Sequence, residues 1–498
     1  MNYKIIVYLF LVVITTVGFY FRLAGISTNH SFWADEALIS SFAKNIILNK
    51  EHFINGIKAI SYEPLQIAIT TLFFKLFGVS EFSARIPSVL LGSIGIVFAY
   101  LLASKLSNRA GGLLAAFLYA FSQLNISNAT QAKPYATLET LLLMICYLLL
   151  VKKSSYFQSL ISNMFVIFLL TLSTFIHYVG VMFWIIYIVN LVLSHSGLLI
   201  KKIRQPIFMI SGFVLFSIFL HLFNIDQLIL DLFKTYNGKV LLISDNTIHL
   251  KNLLIRQYGI FFLPAIITLL ISFKKNKAIV VALFFWIIVL LFMWSFRIYS
   301  HSIRYLVPLF GIIFTLFGAF FGIVGERYFK RFNWVLCLIV AVLLMVFQYK
   351  IILRATNYYT PNADFYGDVQ IADYKKFYEE LKIRFPNYKK LYIVNDTFDV
   401  EDWYLGRYSN SYFMKFTIKP YKHPLVNAFV YKSLPNFRKI IKNHPEGIVI
   451  VEDWDSFLPE EIKQYARKNL KLEMRIEGLP QAMGDNWPLE VYSWGFEK

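Results

Sequence analysis

Two adjacent carboxylates, Asp35 and Glu36, stand in the stretch Ser31-Phe32-Trp33-Ala34-Asp35-Glu36-Ala37, just after the first long apolar run. Acid is scarce in this part of the chain: the first 354 residues hold only ten Asp and Glu. Neighbouring residues of a helix do not share a face. One carboxylate could therefore meet a reaction centre while the other binds a metal, a base or a cap. A carboxyl partly desolvated at a lipid interface would have a raised pKa, suited to taking a proton. The competing reading is a helix N-terminus, whose first turn favours negative charge.

Further along, Glu81-Phe-Ser-Ala-Arg85 precedes Ile86-Pro87. Arg85 could hold a phosphate bidentately, or it could be a snorkelling anchor at the end of a span. Lys133 and Tyr135 lie in Ala132-Lys-Pro-Tyr-Ala136, and Glu139 follows Tyr135 by about one turn. An ionisable residue inside a span is a functional candidate by default; the alternative for Glu139 is a carboxyl hydrogen-bonded to a neighbouring helix. His177-Tyr178 interrupts a long apolar run, and a lone His there reads as structural or as a substrate contact. Arg297, His301, Arg304 and Tyr305 form a polar cluster before a late span, of the kind that suits an anionic lipid headgroup. No metal-ligand spacing and no phosphate-binding glycine loop occurs. No cofactor is certain, and a divalent metal stays open.

These residues must be positioned by a membrane protein. The 498-residue chain is 57% hydrophobic and 18% aromatic, with repeated apolar runs close to the roughly 20 residues that cross a bilayer. No small-residue cleavage site follows the first run, so it is expected to stay as an uncleaved span. Cys146 and Cys337 both lie in apolar runs, which argues against a disulfide framework. The net charge of +19 is uneven: residues 1–354 carry 29 basic and 10 acidic side chains, residues 355–498 carry 20 of each. That is a topology signal and excludes a nucleic-acid footprint.

Basic residues cluster in short gaps between apolar runs, as at Lys152-Lys153 and Lys274-Lys275. If those gaps are cytoplasmic, neighbouring gaps are separated by an even number of crossings. The parity predicts about eleven spans, at 3–23, 86–106, 110–124, 134–151, 160–176, 178–195, 206–223, 257–273, 278–296, 302–324 and 333–353. Pro64 to Gly78 is too short to cross and is expected to lie on the membrane. The N-terminus is then inside. A first loop at 24–85, the segment 125–133, a hairpin at His177, a loop at 224–256 and everything after Arg354 are outside. The apolar runs Leu391–Asp396 and Gly447–Asp453 and the alternating stretch Leu489–Trp494 read as strands, and Pro459–Asn469 reads as a helix. Residues 1–354 are thus expected to form a membrane domain, and 355–498 a soluble extracytoplasmic α/β domain.

The whole chain resembles the GT-C membrane glycosyltransferases, in the bacterial branch related to protein O-mannosyltransferases and to the aminoarabinose transferases of lipid A. The resemblance is carried by Trp33-Ala-Asp35-Glu36-Ala, Pro64-Leu65 through Phe77-Gly78, Glu81 through Ser88, Ala132-Lys-Pro-Tyr-Ala136, His177-Tyr178 and Arg304-Tyr305-Leu-Val-Pro308. It implies an integral protein of the bacterial inner membrane. That protein would move a sugar from a polyprenyl-phosphate donor to a lipid, glycan or protein acceptor on the outer face, with inversion. Asp35 would then correspond to the base, with Arg304 and Tyr305 near the leaving phosphate. The chain departs from the pattern in three places. The position before Pro64, often basic in relatives, is Glu63; Gln131-Ala-Lys133 replaces an acid followed by Ala-Arg; and the register of Glu139 against a second family acid is not fixed. The alternative function is a lipid-linked sugar flippase or transporter without transferase activity. It would want ionisable residues along several spans near the midplane.

Overall fold

The computed structural model describes residues 3–27, 30–32, 34–48, 53–54, 57–58, 63–151, 156–194, 258–296, 303–348, 372–423, 426–453, 456–478 and 488–496. The chain is a polytopic helical membrane protein with a C-terminal α/β unit. The helices of the membrane part are α1 (Tyr3–Leu23), α2 (Ala34–Ile47), α3 (Pro64–Phe77), α4 (Glu81–Leu106), α5 (Arg109–Phe121), α6 (Gln123–Ala129), α7 (Tyr135–Leu150), α8 (Tyr156–Ile176), α9 (Phe183–Ser194), α10 (Gly259–Phe296), α11 (Val307–Phe329) and α12 (Asn333–Phe347). A two-stranded antiparallel hairpin, β1 (Phe53–Ile54) and β2 (Ile57–Lys58), lies between α2 and α3.

Four helical stretches among the described residues are long and apolar enough to cross a bilayer: Lys4–Leu23, Glu81–Leu106, Gly259–Met293 and Arg304–Phe329. Each predicted span on described residues falls on helix. The two at 257–273 and 278–296 are halves of one element, broken at Asn276, whose φ of −133° and ψ of 43° are not helical. The span predicted at 206–223 and the loop at 224–256 lie outside the described residues, as do Trp33 and Arg297.

Local chemistry sets the helix ends. Ser80 caps α4 by accepting from Ser83 N at 3.2 Å, and Asn108 caps α5 by accepting from Ala110 N and Gly111 N at 3.0 and 3.1 Å. Pro64 opens α3, where its missing N–H costs nothing. Close packing of α5 on α11 depends on small residues. A Cβ at Gly111 would sit 2.6 Å from Gly318 O and one at Gly322 3.0 Å from the Gly111 Cα.

The C-terminal unit holds α13 (Tyr374–Arg384), β3 (Tyr392–Asn395), α14 (Glu401–Tyr404), β4 (Ser411–Phe413), β5 (Tyr421–Lys422), β6 (Phe429–Tyr431), α15 (Leu434–Asn443), β7 (Gly447–Glu452), α16 (Glu460–Asn469), β8 (Lys471–Ile476) and β9 (Leu489–Trp494). The strands form one sheet in the order β5-β6-β4-β3-β7-β9-β8. Its centre, β6-β4-β3-β7, is parallel, and β9 runs antiparallel to both β7 and β8. Gly447 admits no side chain because a Cβ would come 2.1 Å from the Trp494 ring.

This unit is joined to α2 by a common core. Phe32, Ile39, Phe42 and Phe74 of the membrane part pack in one cluster with Tyr374, Phe377 and Tyr404. Hydrogen bonds cross the same junction. Lys44 Nζ donates to Asp402 O at 2.6 Å, Asn45 Nδ2 to Asp402 Oδ2 at 2.5 Å, and Tyr374 N to Ser31 Oγ at 3.1 Å. Tyr404 Oη accepts from Phe32 N at 2.5 Å and donates to Glu81 Oε1 at 2.8 Å.

Candidate active site

Helix α2 carries Asp35 and Glu36 in its first turn and sends them to different surroundings. Glu36 points inward and is 1% exposed. Its Oε1 accepts from Arg85 Nε at 3.0 Å and from Ala132 N at 2.8 Å, and its Oε2 accepts from Arg85 Nη2 at 3.4 Å. Burial raises the Glu36 carboxyl, but Arg85, with His30 and Lys133 behind it, more than offsets this and holds the group below the usual carboxylate range. Arg85 is buried, stacks over the Phe32 ring at 4.8 Å, and donates to the carbonyls of Ile26 and His30. The two roles expected for Arg85, phosphate holder and snorkelling anchor, both give way to that geometry. Its donors are spent on Glu36 and on the loop before α2.

Asp35 faces the other way, with its side chain one-third exposed. Two cations converge on its Oδ2: Arg304 Nη1 at 2.5 Å, from the turn before α11, and Lys133 Nζ at 3.8 Å, from the turn before α7. The raised pKa expected for Asp35 is corrected here. Burial pushes the carboxyl up, but Arg304 and Lys133 more than offset it, and the group sits below its ordinary value. Ala132 is bonded to Glu36, so the peptide beside Lys133 is fixed by the residue beside Asp35.

Aromatic rings wall the same chamber. The Arg304 guanidinium lies 5.2 Å from the Tyr305 ring, and Arg304 Nη2 donates to Tyr305 Oη at 3.3 Å. Tyr135 packs edge-on against Tyr305 at 6.1 Å and against His177 at 5.4 Å. The imidazole of His177 accepts from Val179 N through Nδ1 at 3.2 Å, which leaves the ring proton on Nε2, 3.4 Å from Glu63 Oε1. Burial and Arg304 depress the His177 ring to about 3, so it is neutral.

Asp35, Lys133, Tyr135, His177, Arg304 and Tyr305 are thus brought together. Glu139 is not among them. It is buried in α7 against Gly311, where a Cβ would come 2.7 Å from its Oε1, and its electrostatic partners are Tyr119 and Arg22. Arg22 in turn binds the carbonyls of Ala120 and Tyr119 at 2.8 and 2.9 Å. Sequence reasoning missed Arg22, although a cation inside an apolar run was the signal. It also noted Glu63 only as a departure from a pattern, without placing it in the chamber. Among the described residues no three His, Cys, Asp or Glu side chains gather as a metal site. A cleft of about 370 Å³ opens between α13 and the start of α4, with Lys375, Lys382, Glu81 and Trp403 in its wall.

Residues 63–223 match the family described as dolichyl-phosphate-mannose-protein mannosyltransferase. An uncharacterized protein of Aquifex aeolicus is 33% identical over 132 residues, a match that spans 25% of this chain and 25% of that protein. Among solved structures, ArnT from Cupriavidus metallidurans bound to undecaprenyl phosphate superposes with a TM-score of 0.61 at 12% identity, over 97% of each chain. The oligosaccharyltransferase AglB from Archaeoglobus fulgidus, in complex with an inhibitory peptide and a dolichol-phosphate, gives 0.53 at 12% identity, over 80% of this chain and 63% of that one. The fold is therefore one that this chain shares with ArnT and AglB.

Proposed function

We propose that this protein is an inverting glycosyltransferase that moves a sugar from a polyprenyl-phosphate donor to an acceptor hydroxyl on the extracytoplasmic face of the bacterial inner membrane. The observation that carries this reading is the convergence of Arg304 and Lys133, from turns far apart in sequence, on the single carboxylate of Asp35. Two cations converging on a base that is itself one-third exposed suit a leaving group that departs as a lipid phosphate. The likeness to a structure that holds undecaprenyl phosphate supports the donor class.

In this scheme the acceptor oxygen attacks the anomeric carbon as the bond to phosphate breaks, and Asp35 takes the acceptor's proton. With its cations in place Asp35 is ionised but a weak base. When the donor's phosphate draws Arg304 and Lys133 toward itself, their pull on Asp35 weakens and its proton affinity rises. The base is then strongest when the donor is bound. Glu36 and Arg85 act as positioning residues, fixing α2 against the peptide that precedes Lys133. The C-terminal unit, docked on α2, offers its cleft as a place for part of the acceptor.

The test is Asp35→Asn in reconstituted vesicles supplied with polyprenyl-phosphate sugars. Transfer is expected to fall below detection while insertion and thermal midpoint stay at wild-type values. Near-normal turnover in that variant would remove Asp35 from the chemistry, and sugar-lipid movement without transfer in the wild type would favour the carrier reading.

A further inference from the structure

We propose that Glu63 is a third phosphate-binding group of this site, donating a hydrogen bond from its carboxyl to the lipid phosphate beside the cations Arg304 and Lys133. The inference deepens the reading above and rests on it.

Four observations point to Glu63. Its backbone lies in the left-handed region, at φ 53° and ψ 60°, a conformation that a glutamate adopts only when its surroundings hold it there. That conformation, followed directly by Pro64 at the start of α3, aims the side chain away from the helix it precedes and toward His177. The Nε2 proton of His177 can satisfy Oε1, whereas Oε2 is buried and has no hydrogen-bond partner among the described residues. A buried polar atom without a partner is costly unless a ligand supplies one.

The charges facing Glu63 decide its proton. Burial and the negative Asp35 push its carboxyl up to about 8, against the smaller opposing pull of Arg304 and Lys133. The other groups about it are the neutral ring of His177 and the hydroxyls of Tyr135 and Tyr178. Two carboxyls in one chamber are thus driven apart, Asp35 ionised and Glu63 protonated, the arrangement that separates a base from a donor. Glu63 with its proton holds an O–H where an anion can accept it. A phosphate monoester has its second pKa near ~6, below that of Glu63, so the proton stays on the carboxyl and serves as a hydrogen bond through the departure of the phosphate.

The experiment measures binding of undecaprenyl phosphate to the purified full chain in detergent, at pH 7 and pH 9, for wild type, Glu63→Gln and Glu63→Ala. If only the protonated form binds, raising the pH from 7 to 9 through a pKa of about 8 cuts the competent fraction roughly tenfold and weakens binding by the same factor. Glu63→Gln keeps an N–H donor and should bind with an affinity that does not change over this range. Glu63→Ala should bind about tenfold or more weakly at pH 7, with the same flat profile. A wild-type affinity that is flat with pH, or a Glu63→Gln profile that falls as the wild type does, overturns the assignment of Glu63 and leaves the transferase reading intact. No binding of undecaprenyl phosphate by the wild type at either pH overturns the donor class itself.

Discussion

Arg85→Met tests whether the helix turn that carries Asp35 is held in place by a buried ion pair. Arg85 is 0% exposed and Glu36 1%, so neither side chain has water to fall back on. Removing the guanidinium leaves the Glu36 carboxylate with only the Ala132 N–H, and also strips the carbonyls of Ile26 and His30 of a donor. Breaking a buried pair from one side costs about 3–5 kcal/mol. For a chain of this size that corresponds to a fall in apparent midpoint of about 3–5 °C. The chain supplies its own reporter, because its two cysteines, Cys146 and Cys337, are buried in helices. A thiol-reactive fluorophore will therefore report unfolding as the temperature rises. Glu36→Leu alone should cost a similar amount, since it strands the cation. The double variant leaves no uncompensated charge, and its loss should fall short of the sum of the two singles by roughly 1–3 kcal/mol. Additive losses, or an Arg85→Met midpoint within a degree of wild type, would refute the claim that these residues act as one clamp. The pH dependence has a fixed sign. The folded-state pKa of Glu36 is depressed, so its contribution is fully present above the ordinary carboxylate value and is lost as pH falls below it through the lowered folded-state pKa. Glu36→Gln should flatten the acid limb of the stability curve.

Tyr404→Phe removes the hydroxyl that bridges Phe32 N and Glu81 Oε1, at an expected cost of about 1–3 kcal/mol. Limited proteolysis should then cut at the junction of the C-terminal unit with α2 faster than in wild type, and an unchanged cutting rate would show that the bridge is dispensable. Gly311→Ala places a methyl 2.7 Å from the Glu139 side chain, so α11 must shift from α7; a stability loss of about 1–3 kcal/mol, read by the same thiol assay, is expected, and Gly311→Ala combined with Glu139→Ala should recover part of it.

The spans and the strands β3, β7 and β9 were legible because apolar runs of the right length leave few alternatives. The three short strands β4, β5 and β6 were not, since two or three residues carry no period to read. Around Asp35 the outcome divides by distance along the chain. The residue types of the chamber could be seen one by one. Their mutual effects could not be seen. The sign of the Asp35 shift depends on Arg304, 269 residues away, and the role of Arg85 on Glu36, 49 residues away. An arginine near the head of a span looks the same in sequence whether it snorkels or is sealed inside. Glu63 shows the same limit: its departure from a basic position was visible, but its left-handed backbone and its orphaned oxygen belong to the folded chain alone.

The shared core between α2 and the C-terminal unit has a consequence for biogenesis. Asn45 and its partner Asp402 are 357 residues apart. At about 5–20 residues per second, a ribosome takes roughly 20–70 s to travel from one to the other. Through that interval the apolar side of α2, with Ile39 and Phe42, and Phe32 just before it, lacks the C-terminal residues that finally bury it. Residues from 372 onward, made long after α2, are therefore the ones that complete its burial. A chain stopped before residue 372 can insert its helices, yet it would carry Asp35 on an uncovered segment, a target for proteases. Synthesis of the C-terminal unit is therefore expected to precede full burial of the turn that carries Asp35.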